Sequence, residues 1–258
     1  MAYETIRYEK SGPVATLTMH RPDRLNSMTN RMLVETGEAL ARAAEDKELR
    51  VLVLTGTGKS FCPGADLQGV ASGSGADAVI TPEDFRVPIL LHEMPAVTIA
   101  AINGPCAGAG LGWACGCDLR YAAASARFNT AFLDVGVAGD MGGPWLLPRI
   151  VGPARARELY FFPDKFDAQH ALEIGLVSRV FPDDRFREEI EAIVTRLAEA
   201  APIALRTMKA NFVEAERVNF SEYIALESLR HLRMFTTRDT AEAFAAKVEK
   251  RKPRFEGR

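Results

Sequence analysis

The stretch AVTIAAINGPCAGAGLGWACGCDLRYAAA, residues 96–124, constrains the fold more than any other part of the chain. AVTIAAI (96–102) is an apolar run of strand length, GAGLGWACG (108–116) is a helix built from small residues, and LRYAAA (119–124) is a second short strand. Small residues let a helix approach a sheet closely. SFCPGADL (60–67) repeats the plan: a strand, a turn of small residues, the start of a helix. Turns of this kind leave backbone N–H groups pointing outward, and the helix dipole adds positive potential. Two such groups aimed at one point make an oxyanion hole. Tight packing alone accounts for the same residues, and both readings stay open at this level.

The rest of the first half alternates strands and helices, which gives an α/β class. TIRYEK (5–10) and VATLTMH (14–20) alternate around Gly12-Pro13 and predict a hairpin. NRMLVETGEALARAAED (30–46) carries helical periodicity, and RVLVLTG (50–56) reads as a buried strand. The glycine-rich segment 68–79 reads as a mobile loop. Thr81-Pro82-Glu83-Asp84 reads as a capped helix start. From about residue 153 the pattern is helical to the end, so a core of residues 1–185 is followed by a helical region, 186–258. Two nucleotide motifs fail. GTGKS (56–60) has Val53 where a phosphate loop needs glycine, and GAGLGW (108–113) ends on Trp113 where a dinucleotide fingerprint needs glycine.

A net charge of −2 favours neither nucleic acid nor an anionic membrane surface. The N-terminus is polar and unlike a signal peptide, and no apolar run approaches the ~18 residues of a membrane span. Cys62, Cys106, Cys115 and Cys117 lack zinc-knuckle spacing and fit small buried thiols in a reducing cytoplasm.

RPDRLNSM (21–28), SFCPGADL, AAINGPCAGAGLG and GLVSRVF (175–181), in that order, resemble the enoyl-CoA hydratase/isomerase family, the crotonase superfamily, over nearly the whole chain. The resemblance implies a crotonase (ClpP-like) spiral of β-β-α units, a C-terminal helical trimerisation region, and trimers or dimers of trimers. It implies an acyl-CoA thioester substrate, with CoA part of that substrate and no other cofactor. By motif, the oxyanion donors would be the N–H groups of Ala65 and of Ala109, the latter after Gly108. Arg24 and Leu25 match the segment that contacts CoA, with Pro63, Asp66 and Leu67 facing them. Lys250 matches a basic residue that reaches the CoA phosphates.

The family's hydratases carry two glutamates, and the matching positions here are Gly112 and Phe132. Hydration needs a water activated between two carboxylates. What remains is Asp140, in GVAGDMGGPWLLPR (136–149), a position used by a catalytic aspartate in the family's dienoyl-CoA and ring-opening isomerases. Beside an oxyanion hole, one carboxylate can move a proton between carbons. Val135, Val137, Met141, Phe132 and Trp145 are expected to dry it and raise its pKa. Asp134 is expected to face away. The alternatives are an N-cap at Gly142-Gly143-Pro144, an aspartate nucleophile as in dehalogenation or thioester hydrolysis, a hydratase as the family name suggests, or a non-catalytic CoA-binding member. Phe132, Trp145, Phe161 and Phe162 fit either an aromatic acyl pocket or the core.

Overall fold

A computed structural model describes residues 3–72 and 77–258. The chain opens with β1 (Ile6–Ser11) and β2 (Val14–Met19), an antiparallel hairpin closed at Ser11 and Val14. Gly12 supplies the turn at φ 54°. Helix α1 (Asn30–Glu45) is capped by the Thr29 side chain, which accepts from the Met32 N–H. Its buried face carries Met32, Leu33 and Leu40, each worth about 1.5–3 kcal/mol once removed from water. Strand β3 (Val51–Gly56) follows.

A short helix, α2 (Leu67–Ser72), begins at the expected helix start and runs on into the segment expected as a loop. Asp66 explains it: its carboxylate accepts from the Gly69 N–H at 3.0 Å and so caps a turn whose composition looked too flexible to hold. The remainder of the expected loop lies partly outside the described residues. Pro82–Arg86 is a 3-10 turn leading into α3 (Val87–Glu93). The cap there is Asp84, whose carboxylate accepts from both the N–H and the O–H of Thr81.

Next come β4 (Val97–Ile102), β5 (Cys106–Ala107), α4 (Ala109–Gly116), β6 (Leu119–Ala123) and β7 (Arg127–Asn129). The main sheet runs β1-β2-β3-β4-β6 and ends on β9 (Arg179–Phe181), parallel from β2 onward. Before β9 come α5 (Gly143–Val151), α6 (Pro153–Phe161), β8 (Phe166–Asp167) and α7 (Ala168–Glu173). A small second sheet joins β5, β7 and β8. The segment after residue 153 is therefore not wholly helical. Arg179–Phe181 is too short for its alternation to register, and it is a strand because β6 offers a free edge.

Along β3 and β4 alternate residues face opposite sides. Leu52, Leu54, Ala100 and Ile102 meet α1, α3 and α4, while Val51, Val53, Ile99 and Ala101 meet Phe186 and Ile190 of α8 (Phe186–Ala198). Helices α9 (Pro202–Ala215), α10 (Phe220–Met234) and α11 (Arg238–Val248) complete the chain. Lys209 fastens α9: its buried ammonium reaches Asp118 at 2.8 Å and donates to the Leu91 and Ala96 carbonyls. A buried ammonium is tolerable only when paired in this way.

Helix α4 is the centre of the molecule, and all eight of its residues are buried. A Cβ on Gly110 would lie 2.3 Å from the Cys62 carbonyl oxygen, on Gly112 2.5 Å from Met141 Cβ, and on Gly116 3.0 Å from Pro88 Cα. Three different segments thus rest on glycines of one helix. Gly37, in α1, has nothing within 4 Å. Denaturant unfolding should separate the two cases. Gly110→Ala is expected to lose about 3 kcal/mol or fail to fold, through overpacking. Gly37→Ala is expected to gain about 0.5–1 kcal/mol from helix propensity.

Candidate active site

Two turns converge at the N-terminus of α4. The segment after β3 and the segment entering β5 run parallel: the Cys62 N–H donates to the Pro105 carbonyl at 3.0 Å, and the Ala107 N–H to the Cys62 carbonyl at 2.9 Å. Two residues further on, both chains turn at glycines with positive φ, Gly64 at 104° and Gly108 at 50°. A Cβ on Gly108 would stand 3.6 Å from Gly64 Cα, so these turns touch. The next residues are Ala65 and Ala109.

Neither the Ala65 nor the Ala109 N–H donates to an acceptor among the described residues. Ala65 is exposed and Ala109 opens α4, where the helix itself leaves the N–H free. The Gly64 carbonyl accepts from the Met28 N–H at 2.8 Å, which fixes the peptide whose other end is the Ala65 N–H. Two free donors on touching turns can stabilise an oxygen as it gains charge.

Arg24 and Leu25 stand on the rim beside this point. Arg24 is exposed and hydrogen-bonds to Gln68, while Leu25 and Leu67 are each 56% exposed. Pro63 is half-buried in the first turn. Asp66 is committed elsewhere. The Gly69 N–H and the Arg21 guanidinium at 2.8 Å hold its carboxyl below the usual range, so it shapes the rim rather than offering a free group. Lys250 follows α11, and its segment is tied to the C-terminal helices through the Arg251–Glu242 and Lys252–Glu199 pairs. None of these contacts brings it to Arg24 or Leu25.

Asp140 lies in a turn of unusual backbone. Gly139, Met141 and Gly142 all have positive φ, at 107°, 50° and 72°. Met141 holds the turn down: it is buried, accepts the Trp113 indole N–H at its sulfur at 3.3 Å, and packs on Gly112. Asp140 is consequently half-buried, with Oδ1 sealed from solvent and without a hydrogen-bond partner. Desolvation raises its pKa above the ordinary carboxylate value. Its charge is felt by the Cys62 thiol, which burial pushes up to about 12, and by the Tyr160 phenol.

Asp140 does not cap α5. The N-cap is Gly142, and only the main-chain carbonyl of Asp140 accepts, from the Gly143 N–H at 3.3 Å. Asp134 faces solvent, as expected. The apolar wall differs from expectation. Val135 and Val137 are 48% and 52% exposed, because Leu133–Val135 forms a surface 3-10 turn. Trp145 faces outward to His92, at a ring distance of 5.7 Å, with the Arg149 guanidinium 3.7 Å over its indole. Phe161 and Phe162 are exposed and fill neither pocket nor core. Phe132 does line the site. A Cβ on Gly108 would lie 3.9 Å from its Cε1 and one on Gly139 3.6 Å from its Cδ2, so the ring spans the gap between donor turn and carboxylate turn. It stacks on Tyr160 at 5.9 Å. Sequence reading missed Tyr160, which lies on α6 with no local pattern to mark it.

The chain is similar to known proteins over nearly its whole length. The family described as Enoyl-CoA hydratase/isomerase matches residues 9–258. A probable enoyl-CoA hydratase of Rhodobacter capsulatus is 37% identical over 100% of both chains. A 1,2-epoxyphenylacetyl-CoA isomerase of Escherichia coli is 34% identical over 95% of both. The solved structure of a putative enoyl-CoA hydratase from Streptomyces coelicolor superposes with a TM-score of 0.92 at 32% identity, covering 100% of this chain and 96% of that one.

Burial of the Asp140 charge has a consequence for stability. A carboxyl whose pKa is higher folded than unfolded binds more protons in the native state, so stability falls as pH rises through that interval. Asp140→Asn is expected to raise the melting temperature at pH 7, by a margin that shrinks as pH drops toward the ordinary carboxylate value of about 4. A loss of stability at pH 7 would contradict the assignment.

Proposed function

The chain belongs to the enoyl-CoA hydratase/isomerase family, and we propose that within it this protein is an acyl-CoA isomerase that shifts a double bond with Asp140 as the proton carrier. One observation carries the choice: a side chain at 112 would strike Met141, with Cβ atoms 2.5 Å apart. The turn that delivers Asp140 therefore fills the place of one hydratase glutamate, and Phe132 fills the other. A water held between two carboxylates has no counterpart here.

The chemistry then needs one base and one anion site. The thioester carbonyl accepts from the Ala65 and Ala109 N–H groups. Asp140 removes a proton from the α or γ carbon, and the electron pair moves through the conjugated carbons to the thioester oxygen. The donors are fixed in advance and strengthen as that charge develops, so they favour the transition state over bound substrate. Asp140 returns the proton to the other carbon, and no atom is gained or lost. The raised pKa suits a base that must also act as an acid. The E. coli relative, named an isomerase, supports the reading; the Rhodobacter relative carries a hydratase name.

The same proposal includes CoA as part of the substrate with no other cofactor, a cytoplasmic setting fitting four free buried thiols, and a homotrimer or dimer of trimers. Exposed Met208, Phe212, Phe220, Leu229 and Leu232 on α9 and α10 are apolar surface that such an assembly would cover. No helix among the described residues is long and apolar enough to cross a membrane.

With a 3-enoyl-CoA in deuterated water, label is expected at carbon-bound positions of the 2-enoyl product. Asp140→Asn is expected to lower kcat by about 10²–10⁴-fold with KM little changed. Unchanged turnover would sink the proposal, and oxygen from labelled water entering Asp140 would mark a nucleophile instead. Wild-type kcat/KM should decline toward acid as the carboxylate is protonated, with a midpoint above the usual aspartate value. Gly112→Glu should lose stability and activity together rather than gain hydration.

A further inference from the structure

Tyr160 lies under the turn that carries Asp140. A Cβ on Gly139 would lie 3.2 Å from its ring Cε1, and one on Gly143 would lie 1.7 Å from its hydroxyl oxygen. The ring therefore follows the turn from one side of Asp140 to the other, and the glycines at 139 and 143 leave room for it. Phe132 stacks on it at 15° and fixes its plane. The phenol oxygen makes no hydrogen bond among the described residues, yet the residue is half-buried and the oxygen is not sealed off. Nothing in the fold uses this hydroxyl. A phenylalanine would pack as well, so the hydroxyl is free for a hydrogen-bonding ligand atom to take the place of water.

Burial raises the phenol well above its ordinary pKa, and the Cys115 and Asp140 charges push it the same way. The hydroxyl thus keeps its proton across the neutral range and stands ready to donate. Asp140 can only accept when ionised. One turn therefore presents an acceptor and, beside it, a donor. The acceptor has the proton-bearing carbons to serve; the donor has no partner in a plain hydrocarbon chain.

We infer that Tyr160 is a specificity-determining donor, and that the acyl group taken by this site carries an oxygen, as hydroxyl, carbonyl or cyclic ether, beyond the carbons that exchange protons with Asp140. The inference rests on the acyl-CoA reading of the site but not on the isomerase reaction. A site built around a polar partner discriminates strongly against an analogue that lacks it, since the group is then left unpaired.

Saturated esters cannot isomerise, so their binding reads recognition alone. Hexanoyl-CoA and its 4-, 5- and 6-hydroxy derivatives would be titrated calorimetrically against wild type and Tyr160→Phe, which keeps the ring on Phe132. At least one hydroxy ester is expected to bind wild type about tenfold more tightly than hexanoyl-CoA, the size of a well-made hydrogen bond. Tyr160→Phe is expected to erase that preference while keeping hexanoyl-CoA affinity. The inference is overturned if no hydroxy ester gains over hexanoyl-CoA, if the gain survives in Tyr160→Phe, or if the variant loses affinity for both esters alike. Failure of every ester to bind would remove the acyl-CoA reading itself, whereas loss of isomerisation in Asp140→Asn is a separate result.

Discussion

The close packing of α4 is the constraint on which the rest of the molecule depends. A helix buried on every side must be approached by backbone, and backbone comes close only where there is no Cβ. Gly110 receives the Cys62 segment, Gly112 the Met141 turn and Gly116 helix α3. Two of these three approaches build the site. The first brings the Gly64 turn against Gly108, so the free N–H groups of Ala65 and Ala109 begin on neighbouring turns. The second sets Asp140 one helical turn further along. Site geometry is thus a by-product of core packing, which gives it the rigidity that electrostatic preorganisation requires.

On the proposed reading, the same contact decides between the two chemistries in this chain. A carboxylate at 112 and the Asp140 turn compete for one volume, so this chain cannot hold both as folded. Exchange of one for the other changes more than the count of acids. The carboxylate moves to a backbone stretch with three positive φ values, two of them on glycine, and its Oδ1 loses every protein partner. Strain and desolvation on that scale are costs to the fold. On the proposed reading they are retained because they raise the proton affinity of the base.

The strands, the hairpin, α1 and the glycine-rich helix were legible because each rests on local information: alternation, a cap, or an uninterrupted apolar run. The two turns at Gly64 and Gly108 were legible as turns of small residues, while their reading as donors came from the family resemblance and not from the residues alone. Family membership was legible from four spaced motifs and is borne out by the match over residues 9–258. What could not be read depends on which face of a short element meets which neighbour. Trp145 looked like a pocket residue because it follows Asp140 closely. The turn at Gly142 rotates it outward, and His92 of α3, distant in sequence, receives it. Val135 and Val137 looked like a dry wall but lie on a surface turn. Asp140 is desolvated all the same, with Oδ1 sealed from solvent and its charge felt by Cys62 and Tyr160. The start of α2 was legible, but its extent was not, because it depends on the Asp66 carboxylate accepting from the Gly69 N–H.

Most buried polar groups in folded proteins are paired, so unpaired ones trace what a site expects to receive. Among the described residues, only Thr36 Oγ1 and Asp140 Oδ1 are sealed side-chain atoms without partners, and Thr36 belongs to α1 and the core. Near the N-terminus of α4 the unpaired groups are two N–H donors and one carboxylate oxygen, with the Tyr160 hydroxyl beyond them. Of these, only Asp140 Oδ1 is sealed from solvent and therefore costly to the fold, whereas Ala65 is exposed and the Tyr160 hydroxyl is open to water. In the proposed reaction, a thioester oxygen answers the two donors. An acidic C–H answers the carboxylate only in passing, while its proton is moving. On the proposed reading, that difference lets the site grip the carbonyl throughout and engage the carbon chain most strongly in the transition state.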